Sequence, residues 1–178
     1  YIYSVNKTIS SLWEWTREGK IPVILDVSSC TQTIRASKND LTEENKARFD
    51  QIILLDSIEF GLKEIYPRLT VKYKKAKIAL HPVCSLSKMG LKQDFEKLAR
   101  SVSEEVLVPF HAGCCGMAGD RGFLFPELPK SATALEAIEV MENSCDGHYS
   151  SGKTCEMALS DATGKNYQSI LTLLDEVS

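Results

Sequence analysis

No stretch of this 178-residue chain approaches about 18 uninterrupted apolar residues, so a transmembrane helix is not expected. Charge of one sign is also scarce: 21 lysines and arginines stand against 24 aspartates and glutamates, a net charge of −3. That balance argues against a nucleic-acid partner. The basic run at Lys72, Lys74, Lys75 and Lys77 is broken by apolar residues and reads as a solvated face. A secretory leader is not read at the amino terminus. No Cys-x-x-Cys-x-x-Cys run and no dinucleotide fingerprint occur, which leaves no ferredoxin-type segment or dinucleotide site within the chain. The first residue is Tyr1 rather than Met, so the expectation is a fragment of a longer protein.

Cysteine is what the chain does have. There are six, in a protein large enough to bury about 70% of its unfolded surface without covalent staples. Three readings compete: a disulfide framework, reduced thiols held for a metal, and unrelated buried thiols. The strand–helix composition and the adjacency of Cys114 and Cys115 weigh against disulfides, because neighbouring cysteines pair only with strain.

The patterning alternates. A helix ends at Glu18 before Gly19 and Pro22, and the apolar run Ile21–Leu25 fits a buried strand. The polar stretch 36–49 follows, with a helix start at Thr42-Glu43-Glu44, then a second strand at Gln51–Leu55 and a helix at Glu59–Tyr66. Further strands are expected at Lys77–Leu80 and Val106–Phe110. Helices are expected at Gly90–Val102, from Ser131 to Asn143, after Cys155 to Ser160, and from Tyr167 to Val177. In the Ser131 helix, Ser131 is the cap and Ala134, Leu135, Ile138 and Met141 line one face. This alternation predicts an α/β fold with a largely parallel sheet flanked by helices. A weak internal repeat divides the single domain into halves of about 20–75 and 76–178, each opening with a strand that delivers a cysteine.

Cys30, Cys84 and the pair Cys114–Cys115 each follow a strand candidate directly. Ligands of open α/β sheets gather at such carboxyl ends. Thiolates are soft donors, suited to zinc, copper(I) or iron–sulfur clusters. Gly113, Gly116, Gly119 and Gly122 surround the pair, either to form tight turns or to let backbone N–H groups approach an anionic cluster. His81 and His111 each precede a site cysteine by three residues. They read as ligands, hydrogen-bond partners of ligands, proton carriers, or plain structural residues. Asp120 and Arg121 read as a surface salt bridge, and Cys145, in a polar turn, is left outside the site.

The run Cys114-Cys115-Gly116-Met117-Ala118-Gly119-Asp120-Arg121-Gly122-Phe123, with His81-Pro82-Val83-Cys84 before it and Ser151-Gly152-Lys153-Thr154-Cys155-Glu156 after it, resembles the CCG cysteine-rich domain. Such domains occur in glycolate oxidase iron–sulfur subunits, anaerobic glycerol-3-phosphate dehydrogenase C subunits, heterodisulfide reductase B subunits and lactate-utilisation proteins. The Ala-Gly-Asp-Arg-Gly form is most similar to the C-terminal region of bacterial FAD-linked D-lactate or 2-hydroxyacid dehydrogenases. The resemblance implies an electron-transfer domain with an iron–sulfur cluster on Cys84, Cys114, Cys115 and Cys155, with Cys30 as a further ligand. FAD and a ferredoxin-like iron–sulfur segment would lie on missing parts, and a downstream acceptor would take the electrons. It implies no dehydrogenase activity in this piece alone, and a cytoplasmic location, with peripheral attachment at the inner face of the membrane as a variant. One departure stands out: the family's motif ends in Cys-x-x-Cys, and here position 152 is glycine. Four cysteines suit a four-iron cluster or, as the alternative, a structural or docking zinc. A third reading is a thiol/disulfide redox site.

Overall fold

The computed structural model describes residues 1–178. Two parallel sheets carry helices packed against them. The smaller pairs β1 (Val23–Leu25) with β2 (Leu54–Asp56), Val23 opposite Leu54 and Leu25 opposite Asp56. The larger runs in the order β4-β3-β5-β6, built from β3 (Lys75–His81), β4 (Ser103–Leu107), β5 (Gly147–Ser150) and β6 (Tyr167–Ser169). All its pairings are parallel, so the carboxyl ends of four strands share one edge.

Parallel neighbours need crossover segments, and helices supply them. Ahead of the large sheet come α1 (Ile2–Trp15), α2 (Ser28–Ala36), α3 (Glu43–Phe49) and α4 (Ser57–Phe60). Between β3 and β4 run α5 (Cys84–Met89) and α6 (Lys92–Val102), and between β4 and β5 run α7 (Arg121–Leu124) and α8 (Glu127–Met141). Then α9 (Lys153–Thr163) links β5 to β6, and α10 (Ile170–Glu176) closes the chain.

Burial follows the sequence pattern most closely at β3 and α6. Ile78, Ala79 and Leu80 are all fully buried, as a central parallel strand covered on both faces requires. Phe95, Leu98, Ala99 and Val102 repeat at helical spacing and present one buried face to that sheet. They belong to a core of 22 residues under the large sheet, whereas a separate cluster of only four, Val5, Ile9, Leu41 and Ile52, lies beneath α1. Most hydrophobic stabilisation therefore sits in the larger half.

Several elements depart from the sequence expectation. β4 lies three residues earlier than Val106–Phe110, and the chain leaves the sheet before Pro109, which has no N–H for the ladder. The strands β5 and β6 were not expected, since His148-Tyr149-Ser150 and Tyr167-Gln168-Ser169 contain no apolar run. Tyr167–Val177 is thus not one helix: Ser169 ends the strand and its hydroxyl caps α10, accepting from Leu171 N–H at 3.3 Å. α8 begins at Glu127 behind Pro126, so Ser131 is interior and not the cap. Its buried face is Thr133, Glu136, Ala137 and Val140, while Leu135, Ile138 and Met141 are exposed. Small side chains let α8 pack closely on α9, and the larger ones are turned to the surface beside exposed Phe123 and Leu128. Asp120 and Arg121 form no ion pair; the Asp120 carbonyl accepts from Phe123 N–H at 3.1 Å.

Candidate functional site

The site forms where β3, β4 and β5 end. After His81, Pro82 and Val83 carry the chain out of the sheet, and Cys84 is the first residue of α5. Beyond β4, the loop from Val108 to Asp120 carries Cys114 and Cys115 back over the edge. β5 ends at Ser150, and Cys155 sits in the first turn of α9. Cys84 and Cys114 are exposed, whereas Cys115 and Cys155 are buried at the margin of the main core beside Val83 and Met117.

The four thiols share one electrostatic neighbourhood. Cys115 Sγ lies 2.7 Å from Cys155 Sγ. That contact holds the Cys115 thiol down to about 6 and, with burial, pushes Cys155 up. A backbone N–H bond from Met117 and the nearby His81 also favour the Cys115 thiolate. Burial raises Cys84, and the charges of Cys114 and Cys115 raise it further. Cys84 and Cys114 in turn raise Cys155. All four sulfurs therefore lie within charge range of one another.

The loop needs glycine at one position in particular. Gly116 adopts φ +75°, and a Cβ there would sit 2.7 Å from Leu128 O and 2.8 Å from the Pro129 Cα. It presses the cysteine loop onto the start of α8. Gly119 is also left-handed but faces open space, and Gly113 meets only His111 O at 3.7 Å. Position 152 looks into the site: a Cβ on Gly152 would lie 3.7 Å from Cys155 Sγ and 3.1 Å from Val83 Cγ1.

The two histidines bond to carboxylates on α8. His81 is fully buried, and its Nδ1 is 2.7 Å from Glu136 Oε1, with Glu136 itself 2% exposed; its Nε2 has no partner. His111 lies on the surface, its ring bonded to Glu139. The Phe110 and His111 N–H groups donate to the same carboxylate at 2.6 and 3.1 Å; the His111 ring first, and then these two bonds, hold it below the usual carboxylate range. Glu136 and Glu139 were missed from sequence. The signal for Glu136 was available, because positions 133, 136, 137 and 140 share one helical face.

The other two cysteines make no hydrogen bond to this group. Cys30 is exposed on α2, beyond the end of β1. Its segment is packed against the site's own: Ser28 N–H donates to Ser151 O at 3.0 Å, and α2 packs on α5. Cys145 lies before the amino end of β5, where burial raises its thiol. A cavity of about 490 Å³ adjoins the site between α7, α8 and α9, lined in part by Met117, Phe123, Met141 and Met157.

No family model matches the chain. The chain is similar to part of a dehydrogenase. Over 157 residues it is 27% identical to the C subunit of anaerobic glycerol-3-phosphate dehydrogenase from Escherichia coli K12, and equally so to its counterpart from Escherichia coli O157:H7. The match takes in 86% of this chain and 40% of each relative, so the chain spans less than half the length of the curated relatives it matches. No helix of the structure is long and apolar enough to cross a membrane.

The donor set has the chemistry of a soft-metal or iron–sulfur site. In the arrangement the structure holds, no three His, Cys, Asp or Glu side chains stand at metal-holding distances. The 2.7 Å Cys115–Cys155 contact is too short for both sulfurs to face separate irons, so the pair would have to part by side-chain rotation before both could ligate.

Proposed function

We propose that the chain is an iron–sulfur electron-transfer domain of a flavin-linked dehydrogenase acting on a 2-hydroxy acid or glycerol 3-phosphate. The observation that carries the reading is the gathering of Cys84, Cys114, Cys115 and Cys155 from three strand ends into one neighbourhood. The similarity to one subunit of anaerobic glycerol-3-phosphate dehydrogenase supports the same class of reaction. Those four cysteines would hold the cluster, with Cys30 outside the set. A cluster of this kind takes up and releases one electron at a time.

The chain's own residues would supply the setting. Buried Val83, Met117 and the main core keep water from one side of the thiols, and exposed Cys84 and Cys114 mark the side open to a donor or acceptor. Gly116 fixes the loop, and the His81–Glu136 pair buttresses its floor. The flavin, a ferredoxin-like segment and the downstream acceptor would belong to other domains or subunits. The exposed apolar surface of Phe123, Leu128, Leu135, Ile138 and Met141 beside the site supports such a partner, since patches of this kind mark interaction sites. The pseudo-repeat of two halves belongs to the same reading: each half sets a cysteine just beyond a strand, and only the second gathers more.

The test is anaerobic reconstitution with ferrous iron and sulfide, followed by iron analysis and electron paramagnetic resonance. About four irons per chain and a signal that appears on reduction are expected. One tightly held zinc with no redox signal would replace this reading with the structural zinc module.

A further inference from the structure

Cys115 and Cys155 are the two free cysteines whose sulfurs are in hydrogen-bonding contact with each other. Their sulfurs are 2.7 Å apart, both are buried, and they come from a loop and a helix 40 residues apart in sequence. A disulfide requires about 2.05 Å, so closure needs a movement of well under 1 Å. The neighbours differ in the respect that matters: Cys84 and Cys114 are exposed, and neither has a sulfur in hydrogen-bonding contact. Adjacent Cys114 and Cys115 cannot pair without strain, so the partner available to Cys115 is Cys155.

We infer that Cys115 and Cys155 form a reversible disulfide when the chain holds no metal, making the buried half of the thiol pocket a redox modification site. A small peroxide is the oxidant, since it can reach thiols that larger oxidants cannot. One thiolate attacks a peroxide oxygen; the O–O bond breaks, and the leaving hydroxide takes up a proton to depart as water, giving a sulfenic acid. The second sulfur then attacks the sulfenic sulfur, displacing its oxygen as water with the proton of the second thiol. Two thiols and one hydrogen peroxide yield one disulfide and two waters, a two-electron exchange. A dithiol reductant reverses it by thiol–disulfide exchange. The consequence is that a closed pair has no thiolate to offer iron, and reduction must precede metal loading. This rests on the same pocket as the electron-transfer reading but does not need a cluster to exist.

The experiment uses the whole metal-free chain, reduced, freed of reductant and treated anaerobically with stoichiometric hydrogen peroxide. Thiols are then blocked with maleimide in denaturant and mapped as peptides by mass spectrometry. Labelling is expected to fall from six thiols per chain to four, with a peptide joining Cys115 to Cys155 that disappears on reduction. Cys84 and Cys114 should stay labelled, and a Cys114→Ser chain should form the same link. Full labelling of Cys115 and Cys155, or a link running instead to Cys84 or Cys114, overturns the inference. Because no iron is present, that failure leaves the electron-transfer reading untouched, and a failed reconstitution leaves this one untouched.

Discussion

The carboxyl ends of the two sheets carry different chemistry on similar scaffolding. Where β1 and β2 end, the chain places oxygen donors. Buried Asp56 accepts from the Ser28 hydroxyl at 3.1 Å and from Ile58 N–H at 3.1 Å, and its own N–H donates to Glu59, which pairs with Arg35 at 2.6 Å. Where β3, β4 and β5 end, it places four thiols. Most of the oxygen set is engaged in caps and ion pairs that knit the smaller half together, while Asp56 Oδ2 and Ser57 Oγ are buried without a partner. The sulfur set is bonded mainly to itself and stays chemically available. A strand-end platform thus becomes a candidate redox site when its side chains are not consumed in holding the fold.

Disrupting the sulfur side should have the largest effect. Cys115→Ser and Cys155→Ser are each expected to lower iron bound on reconstitution at least about ten-fold, as loss of a cluster ligand should; iron analysis against unmodified protein checks it. Next in size is the buried pair beneath the pocket. Glu136→Ala leaves His81 Nδ1 buried without its hydrogen-bond partner and should cost about 1–3 kcal/mol, measured by urea unfolding. A loss under about 0.5 kcal/mol would show that the pair is dispensable.

The oxygen side should respond differently. Burial raises the Asp56 carboxyl above its ordinary 3.8, so its neutral form is the one the fold favours. Its contribution to stability is therefore present below 3.8 and is lost as pH rises through the raised folded value. The difference in unfolding free energy between wild type and Asp56→Asn should accordingly move against wild type over that window, by at most about 1.4 kcal/mol per pH unit. A pH-independent difference contradicts the burial argument. The smallest effect belongs to Cys30→Ser, on the exposed face of α2: about 0.5 kcal/mol or less, with no loss of iron.

The same contrast explains what was legible in the sequence. The strands β1, β2 and β3 and the helix α6 were readable because apolar residues there recur with the period of the element or run continuously. β5 and β6 were hidden because their burial comes from neighbouring strands and helices, which let His148, Ser150 and Tyr167 sit inside without an apolar run. In α8 the larger apolar residues misled: Leu135, Ile138 and Met141 look like a core face, but close packing selects Thr133, Ala137 and Val140. At the site, Cys84, Cys114 and Cys115 could be assigned to one edge because each follows a strand. Cys155 follows the unrecognised β5 and was reached through the family motif. The Glu136 and Glu139 partners of the histidines lie 55 and 28 residues away in sequence, a pairing no local pattern encodes.

Iron X-ray absorption on the anaerobically reconstituted chain addresses the sulfur platform most directly. An iron environment made entirely of sulfur is expected, unchanged by Cys30→Ser and lost with Cys155→Ser. Oxygen or nitrogen neighbours at the iron, or an identical spectrum after Cys155→Ser, would contradict it.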